Sequence, residues 1–331
     1  MKEIYVHSKI KHPNIVESGG DVLFVPHNGK YNIGFLVQRI HGYPLSKIIE
    51  STDIDNPAEG FDIRKRKLSN MIGAAQGLDH LANLGLVHRD VKPENTLEDN
   101  NGNILLCDLG IILNNFDTIS TDKVLGTVVF TPPEQMLGHD NVLLAASDQF
   151  SLALTLQEMI YGETLTIRRE VEEIIPYMSR MVYTPNLYNY DMYRERDKNL
   201  GLTDLQSVAL YLTWAISLNR NPFVRFADNT TLAFLVSEIL DGNPEAIDMS
   251  IFAFMNRCTD PENNKIIEDI RSSGIILPEV SINQINNSRS ATKLANLLNN
   301  KYHSSSDALT HLPQGELKYN TEFDYGLSIN K

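Results

Sequence analysis

The stretch that most restricts how this chain can fold is residues 88–95, His-Arg-Asp-Val-Lys-Pro-Glu-Asn, followed by the apolar run Ile104-Leu105-Leu106 and closed by Cys107-Asp108-Leu109-Gly110. Between them lies Asp99-Asn100-Asn101-Gly102, a turn-forming string that predicts two short strands joined as a hairpin. Such a hairpin puts an acid, a base and two oxygen-bearing metal-ligand candidates on neighbouring backbone. Asp90, Lys92, Asn95 and Asp108 are the residue types that can orient a hydroxyl, neutralise phosphate oxygens and hold a hard metal ion. The plainer alternative, a loop of solvated charges, does not call for this joint spacing.

At these residues the chain resembles the eukaryotic-type Ser/Thr protein kinase family, whose HRD, DFG and APE signatures follow one another in this order. The resemblance implies ATP and Mg2+ as cofactors. It implies that Asp90 accepts the proton of the substrate hydroxyl, that Lys92 lies against the transferring phosphoryl group, and that Asn95 and Asp108 bind magnesium. His88 and Arg89 would be structural or regulatory. An arginine at this place in the family often holds a phosphorylated residue, for which Thr118, Ser120 and Thr121 are the candidates beside the reading of an ordinary polar loop. Leu109, where the family usually has phenylalanine, keeps an apolar plug beside Asp108.

Downstream motifs follow the same pattern. Gly126-Thr127-Val128-Val129-Phe130-Thr131-Pro132-Pro133-Glu134 resembles the end of a kinase activation segment, with Pro132 in place of the usual alanine. Thr127 would contact Asp90 and Lys92, which in the family accompanies serine or threonine substrates. Ser147-Asp148-Gln149-Phe150-Ser151-Leu152 resembles the start of the long buried helix of the large lobe, where Asp148 would accept backbone N–H bonds from the catalytic loop. Asn221-Pro222-Phe223-Val224-Arg225 resembles the late motif whose arginine would pair with Glu134. Cys258-Thr259-Asp260-Pro261 is a weaker rival, because no arginine follows it at the right offset.

The front of the chain departs from the family pattern. Lys11-His12-Pro13-Asn14-Ile15-Val16 resembles the turn after the regulatory helix of the small lobe, which puts that helix over residues 2–10 and its ion-pairing glutamate at Glu3. An ordinary exposed acid in a first helical turn is the equal alternative for Glu3. No G-x-G-x-x-G occurs, and Lys2, Lys9 and Lys11 lie on or just after that helix. The glycine-rich loop and nucleotide-binding lysine are therefore expected to be absent from this sequence, lost by a late start or supplied by a partner that completes the small lobe. Two strands, 22–25 and 33–40, would remain, a marginal unit alone. Gln38-Arg39-Ile40-His41-Gly42 fits the hinge between lobes, with Val37 at the back of the pocket, backbone groups of Gln38 and Ile40 toward adenine, and Leu97 beneath the ring.

The resulting fold class is α+β: a kinase-like fold with a mostly helical large lobe and a truncated small β lobe. Residues 1–40 would be the small-lobe remnant, 41–241 the large lobe, and 242–331 a C-terminal extension, partly helical and then disordered. Within the large lobe, helices are predicted at 68–84, 149–161, 205–218 and 230–240. Weaker ones follow at 247–256, 264–272 and 291–299. An insertion at 167–203 is rich in tyrosine and methionine (Tyr177, Met178, Met181, Tyr183, Tyr188, Tyr190, Tyr193), which suits a protein partner or, more simply, packing against the lobe.

Composition sets outer limits. With 331 residues, 42% of them hydrophobic, the chain can bury a large core, and a net charge of -13 argues against nucleic acid or an anionic membrane as its main partner. The basic run at 64–67 is read as the solvated start of a helix continuing to Leu84. No signal peptide or membrane span is visible, and two cysteines make no disulfide framework, with Cys107 read as a small buried residue. These features predict a cytoplasmic protein, or one delivered into a host cytosol. Three classes compete: a Ser/Thr protein kinase, feeble or inactive as an isolated chain; a pseudokinase or docking scaffold using the large lobe; and a small-molecule phosphotransferase of related fold. The last is weakest, because such enzymes generally lack a lysine at the place of Lys92.

Overall fold

The computed structural model describes residues 10–27, 30–52, 57–109, 113–114, 128–136, 145–162, 190–219, 221–258 and 261–299. The expected helix at 2–10 with Glu3 (all but its last residue, Ile10), the residues Thr118, Ser120, Thr121 and Thr127, and the tail beyond 299 lie outside them. The chain opens with an antiparallel hairpin, β1 (Ser18–His27) and β2 (Lys30–Val37). Its second strand stops short of the expected 40. The Gln38 N–H still donates to the Glu17 carbonyl at 2.7 Å, but Asn14 and Val16 exchange backbone bonds with Leu106, so the first strand has no residues left to pair beyond that point.

After this hairpin come β3 (Gly42–Pro44), α1 (Leu45–Thr52), α2 (Pro57–Leu68) and α3 (Met71–Asn83). Short β4 (Leu86–Val87) precedes the loop that starts at His88, and β5 (Thr96–Asp99) and β6 (Ile104–Leu106) form the predicted hairpin. β3, β5 and β6 make a three-stranded antiparallel sheet, and β4 pairs with β7 (Leu113–Asn114). The helical remainder is α4 (Pro133–Met136), α5 (Ala145–Tyr161), α6 (Tyr190–Asn199), α7 (Asp204–Ser217), α8 (Asn229–Leu240), α9 (Pro244–Arg257), α10 (Pro261–Ser272), α11 (Ile282–Asn286) and α12 (Arg289–Asn299). None of the described helices is long and apolar enough to cross a membrane.

α5 is the central column. Phe150, Leu152, Ala153, Leu154, Leu156, Met159 and Ile160 are buried, and so are its polar Ser147, Asp148, Gln149, Ser151, Thr155 and Gln157. A helix buried all round has no solvated stripe, and Ser147, Asp148, Gln149, Ser151 and Thr155 bond inside the protein. α7 and α8 are buried almost as completely and pack beside it. Beyond Gly242, where the sequence suggests only weak helices, α9 buries Ala246, Ile247, Met249, Ile251, Ala253 and Phe254 in the same core. α12 lays Ala291, Leu294 and Leu298 against it. Gly73 on α3 faces the Asn14 side chain so closely that a Cβ would overlap it, which lets the segment entering the hairpin lie flat on the helix. On the same contact the His12 and His80 rings stack with centroids 5.1 Å apart.

The reading of the basic run is corrected here. The basic run 64–67 ends α2 instead of opening a helix, because the helix breaks at Ser69 and Asn70. Arg64 is not solvated. It is buried and donates to the carbonyls of Thr52 (3.2 Å), Met159 (2.9 Å) and Ile160 (3.4 Å), tying the C-termini of α1 and α5 to one cation. In the aromatic insertion, two tyrosines follow the simpler of its two readings, packing. Tyr190 and Tyr193 are buried against Tyr211 on α7, with ring centroids 5.2 and 5.1 Å away, so these two serve packing. The insertion's other tyrosines and methionines named above lie outside the described residues.

Candidate active site

The loop after β4 is held from below by α5. Asp148, fully inside the protein, accepts the His88 N–H at Oδ2 and the Arg89 N–H at Oδ1, both at 2.8 Å. Burial pushes its carboxyl upward, while the nearby His88, the two N–H bonds and Arg89 pull it down. Arg89 adopts φ 73° and Asp108 φ 59°, both in the left-handed region that side chains rarely enter. Each such residue costs on the order of 1–3 kcal/mol and persists only where the surroundings hold it, which is why these conformations gather at functional sites.

His88 joins the two halves of the hairpin. The Asp90 N–H lies 3.4 Å from its Nδ1, so Nδ1 is the acceptor and Nε2 carries the proton toward the Cys107 carbonyl at 3.1 Å. The Cys107 N–H in turn donates to the Asn95 carbonyl at 3.0 Å, which puts Asp108 beside Asn95. Cys107 is half-buried instead of fully buried, and its neighbour Asp108 is exposed. Burial and then the Asp108 charge push its thiol up to about 11, so it stays neutral and unreactive.

Asp90 sits at the centre. Its Oδ2 lies 2.8 Å from Lys92 Nζ and accepts Asn95 Nδ2 at 2.8 Å. The same Nδ2 donates to the Asp90 carbonyl at 2.9 Å, which fixes the Asn95 amide and leaves its oxygen as the acceptor. Asn95 and Asp108 together offer two hard oxygen donors on adjacent backbone. That matches a magnesium ion that takes few protein ligands and completes its shell with phosphate and water. The Thr96 hydroxyl donates to the Lys92 carbonyl at 2.9 Å and braces the short 3₁₀ turn Pro93–Asn95. Leu109 is buried behind Asp108, and Leu97 is half-buried on β5 opposite Pro44 and Leu105. Gln38 is exposed with its N–H committed to Glu17, so only its carbonyl is left for a ligand; Ile40 is half-buried.

The expected pair between Glu134 and Arg225 is present and bidentate, at 2.7 and 3.0 Å, with side chains 5% and 0% exposed. Glu134 also accepts the Ser147 hydroxyl at 2.8 Å, and Arg225 donates to the carbonyls of Ala146 (2.8 Å) and Asn219 (2.9 Å). Of the rival motif at 258–261, Cys258 is a buried side chain at the end of α9, and residues 259 and 260 lie outside the described set. Sequence reasoning missed Gln149, whose amide donates to the Phe226 and Asp228 carbonyls and accepts the Phe226 N–H, anchoring the segment that carries Arg225. It also missed Gln135, whose Nε2 donates to the Arg89 carbonyl at 3.2 Å. The only local signal for either was adjacency to Asp148 or Glu134.

A family model for the protein kinase domain matches residues 1–249. The chain belongs to the protein kinase family. It is 33% identical over 139 residues to the serine/threonine-protein kinase PknA of Mycobacterium tuberculosis, covering 41% of this chain and 30% of that protein. It is 29% identical over 211 residues to the serine/threonine-protein kinase drp72 of Corynebacterium efficiens, covering 63% and 36%. A probable serine/threonine-protein kinase of Dictyostelium discoideum is 31% identical over 166 residues, 49% of this chain and 9% of the other. The matched segments thus span about a third or less of these relatives' own lengths. The buried helix α5 thus holds residues 88 and 89 through Asp148 and Glu134 through Ser147.

Proposed function

We propose that this chain moves the γ-phosphoryl group of ATP to serine or threonine hydroxyls of protein, with Mg2+ as the metal. The observation that carries the reading is the Asp90 carboxylate held between Lys92 and Asn95, at 2.8 Å from each. Asp90 orients the substrate hydroxyl and takes its proton at Oδ2 or Oδ1. Lys92 keeps a cation beside that carboxylate, where negative charge develops on the transferring group. Asn95 and Asp108 would hold magnesium, and bound MgATP supplies an activated phosphoryl group with its charge partly neutralised. The hinge backbone at Gln38 and Ile40, and Leu97, would face the base. Thr127 would support the choice of serine and threonine, in keeping with the serine/threonine-protein kinases to which the chain is similar.

The test is MgATP binding and phosphate transfer to the chain itself and to Ser/Thr peptides, for the wild type and Asp90→Asn. General-base loss should lower the rate by roughly 10²–10⁴ while nucleotide binding stays within about threefold. Equal rates in both proteins would show that another activity was being measured. No binding at millimolar nucleotide would sink catalysis by this chain and favour a scaffold that uses the large lobe for docking.

A further inference from the structure

We infer that Gln135 is a positioning residue for Asp90: its side-chain amide holds the Arg89–Asp90 peptide group, tying the catalytic loop to the end of the activation segment. The inference rests on the reading of Asp90 as the proton acceptor. Arg89 is held in the left-handed region at φ 73°. A residue there relaxes by rotating one of its flanking peptide groups, so both must be restrained. The peptide group before Arg89 is restrained by Asp148, which accepts the Arg89 N–H at 2.8 Å. The peptide group after it is the one that leads into Asp90, and its carbonyl accepts Gln135 Nε2 at 3.2 Å. A further bond on that group, from the Asp90 N–H to His88 Nδ1, is long at 3.4 Å. Gln135 is buried, so water does not compete for the carbonyl.

The placement of Gln135 follows from its neighbour. α4 is short and starts at Pro133, and Glu134 is locked to Arg225 on one side. That lock sends the next side chain the other way, toward the catalytic loop. A rotation of the Arg89–Asp90 peptide group would swing the Asp90 carboxylate away from Lys92 and Asn95 without disturbing the Glu134–Arg225 pair. Loss of Gln135 should therefore act on turnover and leave substrate binding alone.

The experiment uses the full chain with Gln135→Met, of similar shape but without a donor, and Gln135→Leu as a second variant. It measures kcat and KM for peptide phosphorylation, and backbone hydrogen exchange across residues 88–91. The expected result is a fall in kcat of roughly tenfold with KM unchanged, and faster exchange confined to the loop. Wild-type kcat in both variants, or exchange in the loop as slow as in the wild type, overturns the inference. So does a uniform acceleration of exchange throughout the large lobe, which would mark Gln135 as merely structural. If the wild type itself transfers no phosphate, the proposed function fails, and the exchange measurement alone still decides the positioning role.

Discussion

Arg225→Met tests whether the Glu134–Arg225 pair behaves as a buried pair should. The substitution keeps an apolar stem over Phe150, whose ring centroid lies 5.0 Å from the guanidinium carbon, and deletes the cation. Glu134 then loses two bonds, at 2.7 and 3.0 Å, and keeps the Ser147 hydroxyl at 2.8 Å in a place where its side chain is 5% exposed. The carbonyls of Ala146 and Asn219 lose their charged donor as well. Removing one partner of such a pair costs about 3–5 kcal/mol, most of it the carboxylate stranded away from water. Against a total stability of about 5–15 kcal/mol this is a large share, and it should lower Tm by on the order of 10 °C. Urea unfolding of Arg225→Met, Glu134→Gln and the double variant separates the causes. If the stranded charge dominates, adding Glu134→Gln to Arg225→Met should recover about 1 kcal/mol or more. A cost below about 1 kcal/mol for Arg225→Met, or a double variant that is the less stable of the two, would refute the argument.

Arg64→Met should cost about 2–3 kcal/mol in urea unfolding, because the C-termini of α1 and α5 both lose their donor, whereas Arg66→Met, exposed on the same helix, should change stability by less than about 0.5 kcal/mol. Equal effects would show that the buried cation is not what joins the helices. Asp197 provides a pH signature. Burial pushes its carboxyl up to about 6 from 3.8, despite donation by the Ser207 hydroxyl at 2.6 Å and the Tyr161 hydroxyl at 2.9 Å. The folded state thus holds this proton more tightly than the unfolded chain. Its contribution is complete below 3.8 and lost as pH rises through about 6, amounting to about 3 kcal/mol. The stability difference between wild type and Asp197→Asn should shift in the variant's favour by that amount over this window, and a difference that stays flat with pH would rule out a desolvated carboxyl.

Much of the site was legible because its chemistry is local. The order Asp90, Lys92, Asn95 fits within one loop and one 3₁₀ turn, and the turn-forming residues before Ile104 bring Asp108 back to the same place. The long-range pairs Asp148 with the loop and Glu134 with Arg225 were reached through the resemblance, since nothing local to either residue names its partner. What went unread shares one property: it depends on which distant backbone a polar side chain meets. Arg64 looked like part of a solvated run, yet its partners Met159 and Ile160 lie 95 and 96 residues away. Gln135 reaches a carbonyl 46 residues back, and Asp79, an unremarked position on α3, accepts four bonds from Asn229 and Thr230 at the start of α8, 150 and 151 residues on.

By itself, then, the sequence determined which atoms could do chemistry on phosphate, because residue type and short spacing set charge, donor number and reach within a single loop. The tertiary structure alone decided which of the remaining polar groups are cut off from water. Burying α5 on every side obliges Asp148 and Gln149 to bond across the lobe, and places Arg64, Glu134, Gln135 and Arg225 where each must find a partner. A buried polar group costs too much to leave unmatched, and only the folded chain brings the matching group within 3 Å or so.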